Sequence, residues 1–142
     1  MTNTNLATIL LITSICLFGL TVKANVIKFL PNMDLPSAGY LTINNKSNED
    51  LEITSVKSEN FKKIEIHKST TKNNRTSMHQ VTTLKIPAKK SIELKPGGIH
   101  LMLFEPVDKL EHNKEIKLKF LDKNKNVVFQ AILRLKNRTK DI

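Results

Sequence analysis

The stretch Ile99-His100-Leu101-Met102-Leu103 alternates two kinds of side chain, and its reading decides the fold. On a β-strand, successive side chains point to opposite faces. Ile99, Leu101 and Leu103 therefore share one face, toward a core, while His100 and Met102 stand together on the other. Directly before this strand, Lys95-Pro96-Gly97-Gly98 reads as a turn. Proline fixes φ there, and the paired glycines permit left-handed torsions. Further upstream, Ile64-Glu65-Ile66-His67 repeats the alternation. The isoleucines point inward, and His67 points away with Glu65.

Working outward, short alternating runs recur between turn residues, and no stretch sustains a helical period. Ile27 to Leu30 is a first strand ended by Pro31, followed by an irregular crossing to Ser37. Tyr40-Leu41-Thr42-Ile43 is the next, and Leu51, Ile53 and Val56 belong to another. Lys68 to Ser77 holds no apolar residue and reads as a solvated loop or hairpin tip. Val81 to Ile86 is a strand stopped by Pro87, and Ser91 to Leu94 is a short one. Asp108 to Lys114 is a charged connection with room for one helical turn. Glu115 to Leu121 and Val127 to Leu135 form a terminal hairpin around Asp122 to Asn126. Such a series of short strands predicts an all-β fold, an antiparallel sandwich or barrel.

Ahead of the first strand, Leu6 to Val22 is apolar or small and uncharged. The run closes on Val22-Lys23-Ala24, the small-residue pattern of a secretory signal peptide cleaved after Ala24. Residues 1–24 are accordingly expected to be a leader and 25–142 the mature domain, although Met1 to Asn5 lacks the usual Lys or Arg. The competing reading is an uncleaved anchor helix, since the run approaches the span of a bilayer. Cys16, the only cysteine, lies inside the apolar run. Thr13-Ser14-Ile15-Cys16 does not supply the small residue that a lipoprotein signal needs before its cysteine. A mature domain beginning at Asn25 has no thiol. Disulfides, thiolate metal ligands and cysteine nucleophiles are then excluded.

The formal charge is +10, from 23 basic and 13 acidic residues. The lysines are spread along the chain among Asn, Ile and acidic residues, which reads as solvated faces more than as a dedicated anion surface. Aromatic residues make up only 5% of the chain. Stacking platforms for bases are scarce, so nucleic acid is not an expected partner.

The chemistry lies off the core. His67, His100 and Met102 all leave the inward face, and Met78 sits at the edge of the polar segment. Thioether sulfur prefers Cu(I), whereas Zn(II) favours thiolate or imidazole and hard cations favour oxygen. Two imidazoles and two thioethers make four neutral donors, suited to one Cu(I) ion that must remain exchangeable. Blue-copper electron transfer would need a cysteine thiolate. A zinc hydrolase would leave both methionines without a role, and no paired general acid and base stands beside the donors. The expected protein is a carrier, not an enzyme.

The pattern His67, ten residues, Met78, twenty-one residues, His100, one residue, Met102 resembles the motif of the periplasmic copper chaperones called PCuAC. Gly39-Tyr40-Leu41-Thr42, Ile86-Pro87-Ala88 before Ser91-Ile92-Glu93-Leu94, and the Lys95 to Gly98 turn resemble that family as well. The resemblance runs from about Gly39 to Leu135. It implies a cupredoxin-like Greek-key β-sandwich in the periplasm that binds one Cu(I); the exported domain is expected to be a monomer. It also implies a copper-accepting partner, either a cytochrome c oxidase subunit or an assembly factor for that enzyme's dinuclear copper site. Many members carry a methionine directly after the first histidine, where this chain has Lys68, and some carry a His- and Met-rich tail that is not seen here.

The remaining candidates weigh less. His79 should point away from Met78, and His112 reads as plain surface. Met33 is a spare copper contact or a plug for the open end of the sandwich. Glu65 reads as a solvated carboxylate sooner than as the acceptor that orients His67. The alternative function is an exported structural or adhesive β-sandwich with a basic surface and no metal.

Overall fold

The computed structural model describes residues 20–30 and 35–140. Its strands are β1 (Leu20–Phe29), β2 (Ser37–Asn45), β3 (Leu51–Ile53), β4 (Ser55–Lys57), β5 (Phe61–Lys72), β6 (Arg75–Gln80), β7 (Leu84–Ile86), β8 (Ser91–Leu94), β9 (Ile99–Pro106), β10 (Glu115–Leu121) and β11 (Val127–Asn137). Eight of them form a sheet in the order β4-β10-β11-β1-β2-β9-β5-β6, and β8 joins it through β2. A second, two-stranded sheet pairs β3 with β7. The large sheet rolls over on itself, so that β4 at one end of the order contacts β5 near the other.

Rolling gathers the inward positions into one core. Ile27, Leu41, Ile43, Leu101, Leu103, Ile116, Leu118, Phe120 and Leu133 are fully or almost fully buried. Each comes from an alternating run, which breaks at Phe120, where the register shifts and the next residue, Leu121, is buried as well. Phe120 and Phe129, opposed in the β10–β11 hairpin, stack at 4.2 Å between ring centroids.

Strand β2 is the junction of the fold. Its first half pairs with β9 (Ala38 opposite Met102, Gly39 opposite Leu101), and its second half pairs with β8 (Leu41 opposite Leu94). A β-carbon at Gly39 would lie 3.1 Å from the Leu101 β-carbon. That is too close for an ordinary contact, so only glycine lets β2 and β9 approach as they do. This seats β9, the strand of His100 and Met102.

Several boundaries differ from the sequence reading. The first strand begins at Leu20, so Leu20 to Ala24, the last five residues of the expected leader, lie within β1, with Leu20 opposite Asn45 and Lys23 opposite Thr42. The pairing shifts register between Lys23 and Val26. Leader residues 1–19 and the spare contact Met33 lie outside the described residues. One pairing departs from the antiparallel expectation, because β1 and β11 run parallel (Ile27 opposite Leu135). The segment read as a solvated loop or hairpin tip is a hairpin. β5 and β6 continue as a ribbon to the turn Asn73-Asn74, whose φ angles of 51° and 59° suit the left-handed torsions of a two-residue hairpin turn. The charged connection after β9 contains turns and no helix. Among the described residues the one helical element is a 3-10 turn, Arg138–Lys140, and no helix is long and apolar enough to cross a membrane.

Candidate metal centre

Strands β5 and β9 lie antiparallel in a register that places His67 opposite His100, Glu65 opposite Met102 and Lys63 opposite Phe104. Opposed residues of an antiparallel pair project to the same face, with β-carbons roughly 5 Å apart. These six side chains therefore form three rungs on the face away from the core. The two imidazoles lie 6.2 Å apart between centroids, tilted by 48°. On β6, Gln80 opposes His67 and Met78 opposes Ser69. Met78 is thus a diagonal neighbour of His67 on the same face. His79 opposes Lys68 on the reverse face, as the alternation required.

The structure brings three of the four expected donors into one patch: His67, His100 and Met102. Met78 stands at the margin of the patch, on the edge strand, 51% exposed. The site is also less open than alternation alone suggests. His100 is 5% exposed, and Met102 is half-buried. Burial follows from the rung arrangement, in which His100 is covered beside the tilted His67 ring and held against its own turn.

Hydrogen bonds fix the ring nitrogens. His100 Nδ1 lies 3.0 Å from the Gly98 carbonyl oxygen. A carbonyl only accepts, so Nδ1 carries the proton and Nε2 of the neutral ring keeps its lone pair. The same carbonyl accepts the Ser69 amide at 3.0 Å, which ties the turn before β9 to the β5–β6 hairpin. That turn is closed by Gly98 N–H to the Lys95 carbonyl at 3.1 Å, with Gly97 at φ 77°.

His67 is held by its other nitrogen. Its Nε2 lies 2.8 Å from Glu65 Oε2, while Glu65 Oε1 pairs with Lys63 Nζ at 2.7 Å. The Lys63 ammonium, and after it the His67 hydrogen bond, hold the Glu65 carboxyl below the usual carboxylate range. An ionised carboxylate accepts only, so His67 donates from Nε2 and leaves Nδ1 with a bare lone pair. Nδ1 is buried and has no hydrogen-bond partner. An unsatisfied buried polar atom costs about 1–3 kcal/mol, and such atoms in native folds mark a function or an ion. Lys63 is steadied in turn by the Phe104 ring, 5.2 Å from its centroid.

Glu65 corrects the sequence reading. It is not a solvated carboxylate, for its side chain is only 15% exposed and it orients His67. The signal was present, since Glu65 and His67 share a strand face, but exposure depends on the neighbouring strand. His112 also differs from plain surface: its Nδ1 accepts the Asn137 amide at 3.2 Å and tethers the charged connection to β11.

The donor set is chemically soft. Among the described residues no group of three or more His, Cys, Asp or Glu side chains could hold a metal ion. A hard or borderline cation thus finds no cluster, whereas two imidazole lone pairs beside a thioether fit a monovalent copper ion.

Comparison with solved structures places the fold. The copper-bound PCuAC domain from PmoF2 superposes with a TM-score of 0.66 at 11% identity, covering 84% of this chain and 93% of that one. The Cu(I) form of DR1885 from Deinococcus radiodurans gives 0.66 at 18% identity, covering 86% and 80%. The apo PCuAC domain from PmoF1 gives 0.62 at 18% identity, covering 84% and 92%. At these identities the likeness speaks for the fold, a cupredoxin-like β-sandwich. No curated protein matches the sequence. The profile of a lipoprotein family, LpqE-like, matches residues 20–131, which is most of the length, and the chain belongs to the LpqE-like family.

Proposed function

We propose that the protein is an exported copper chaperone that holds one Cu(I) ion between β5, β6 and β9 and passes it to a partner. His67 donates through Nδ1, His100 through Nε2, and Met102 through its thioether from the same patch. Met78 completes the set from the edge ribbon. All four donors are neutral, so the bound ion remains a monocation that a competing donor set can remove. Copper is cargo here, and the protein is a carrier in this reading. The observation that carries this reading is the buried, unpartnered Nδ1 of His67 beside the free Nε2 of His100. It favours a metal site over a structural or adhesive sandwich, which would gain nothing from that unsatisfied atom.

The finer reading is delivery in the periplasm to the dinuclear copper site of cytochrome c oxidase, after removal of residues 1–24. It rests on the motif spacing and on the PCuAC folds among the neighbours. Membership of a lipoprotein family agrees with export. Titration of the reduced protein against a cuprous chelator tests the binding. One equivalent of Cu(I) should be retained and should be lost in His67→Ala. Retention by the variant, or none by the parent, overturns the reading.

A further inference from the structure

The outer part of the β5–β6 hairpin is exposed on both faces; every residue from Thr70 to Gln80 is exposed. Its charge is distributed in an ordered way. No acidic residue occurs from Ile66 to Ile92. Within the ribbon, Lys68 opposes His79, Thr70 opposes Ser77, and Lys72 opposes Arg75. These residues share one face. The opposite face carries His67, Ser69, Thr71, Thr76, Met78 and Gln80, with no lysine or arginine. A solvated ribbon reflecting only composition would scatter its cations over both faces. Like charges opposed across strands are destabilising, and among the described residues Lys68, Lys72 and Arg75 form no ion pair. Elsewhere the lysines beside acids are paired, as in Lys85 with Asp50 and Lys95 with Glu93.

We propose that this cationic face, Lys68, Lys72 and Arg75, is a docking arm for an acidic surface on the protein that accepts the copper. The inference rests on the chaperone reading, since it assigns the chemistry of that partner. The two functions of the ribbon are separated by its faces. The side with Met78 stays neutral and adds no repulsion to the cuprous ion, while the reverse side attracts the acceptor and leaves the metal face clear. A protein fits better than the other polyanions. The face has no Phe, Tyr or Trp on which a base could stack, its one ring being the imidazole of His79. Between its cations lie Thr70 and Ser77, joined at 3.0 Å through their hydroxyl oxygens, and no apolar side chain for insertion into lipid. Surface charges of this kind act chiefly on association rate and salt dependence.

The test uses the full chain with a synthetic peptide rich in Asp and Glu as probe, alongside vesicles of phosphatidylglycerol. Amide chemical-shift changes caused by the peptide should fall on residues 68–80, and the affinity should drop severalfold between low and physiological salt. The triple variant Lys68→Gln, Lys72→Gln, Arg75→Gln should lose most of the peptide affinity while still binding one Cu(I). Neutralising Lys57, Lys117 and Lys119, which line a groove remote from the ribbon in sequence pairing, should change it little. The proposal falls if the shifts spread over all lysine patches, if the ribbon variant binds as the parent does, or if the vesicles bind the ribbon more tightly than the peptide. Loss of Cu(I) binding in the parent alone would remove the chaperone reading and leave the peptide result standing.

Discussion

Removing the Glu65 side chain tests the mechanism that orients the first histidine. In Glu65→Ala the Nε2–H of His67 loses its acceptor at 2.8 Å, and Lys63 loses its partner at 2.7 Å. The imidazole is then free to exchange tautomers and to turn its protonated nitrogen toward the site. Losing a partner that orients a metal-bound histidine typically costs 10–100-fold in metal affinity, about 1.4–2.8 kcal/mol. Competition against a cuprous chelator should show a loss in that range, without loss of stoichiometry. Nitrogen chemical shifts of His67 in the metal-free protein should move from an Nε2–H tautomer toward a mixture. Glu65→Gln keeps an acceptor oxygen but not the charge and should fall between parent and Ala variant. Lys63→Gln should matter little, because that side chain is 58% exposed and its ion pair is screened. Glu65→Ala that binds Cu(I) within twofold of the parent and keeps the Nε2–H tautomer would refute the orientation argument.

Two further outcomes follow from the same geometry. Met102→Leu conserves volume on the outer face and should cost the metal-free protein less than about 1.5 kcal/mol, while abolishing most of the copper-dependent rise in Tm; that rise corresponds to about 2.7 kcal/mol at a free ligand level 100 times Kd, and Met78→Leu should behave likewise in differential scanning calorimetry. Asp50 is held below its ordinary range by the Ala88 amide and then by Lys85. Its contribution to stability is therefore complete above the unfolded carboxyl pKa near 3.8 and is lost as pH falls through the lower folded value. Denaturation curves between pH 7 and 2 should show that loss in the parent and a shallower one in Asp50→Asn.

Much of the site's strand chemistry could be read before the structure, and the reasons differ from element to element. Period-two alternation identified the inner and outer faces of β9, because Leu101 and Leu103 are fully buried while His100 and Met102 leave the core. The terminal hairpin was equally legible, since β10 and β11 bury alternate residues on one face up to the register shift at Phe120-Leu121. Alternation fails where no core lies beneath a strand. The outer part of β5 and all of β6 carry polar side chains on both faces, so nothing but the Asn73-Asn74 turn distinguished a ribbon from a loop. The extent of β1 was hidden for another reason, as an apolar leader and a buried strand share the same composition. Its parallel partner β11 lies more than a hundred residues away, as Val26 opposite Arg134 shows, and no local signal encodes such a pairing. The role of Glu65 needed the register, because only the placement of β9 beside β5 decides whether that carboxylate meets water or His67.

The central claim is that a mixed imidazole and thioether set binds one Cu(I). X-ray absorption at the copper edge, on protein loaded with one equivalent of Cu(I) under reducing conditions, tests it most directly. The account predicts a first shell of both nitrogen and sulfur scatterers, with the sulfur component diminished in Met102→Leu and again in Met78→Leu. A shell of nitrogen and oxygen alone, unchanged in both variants, would contradict it.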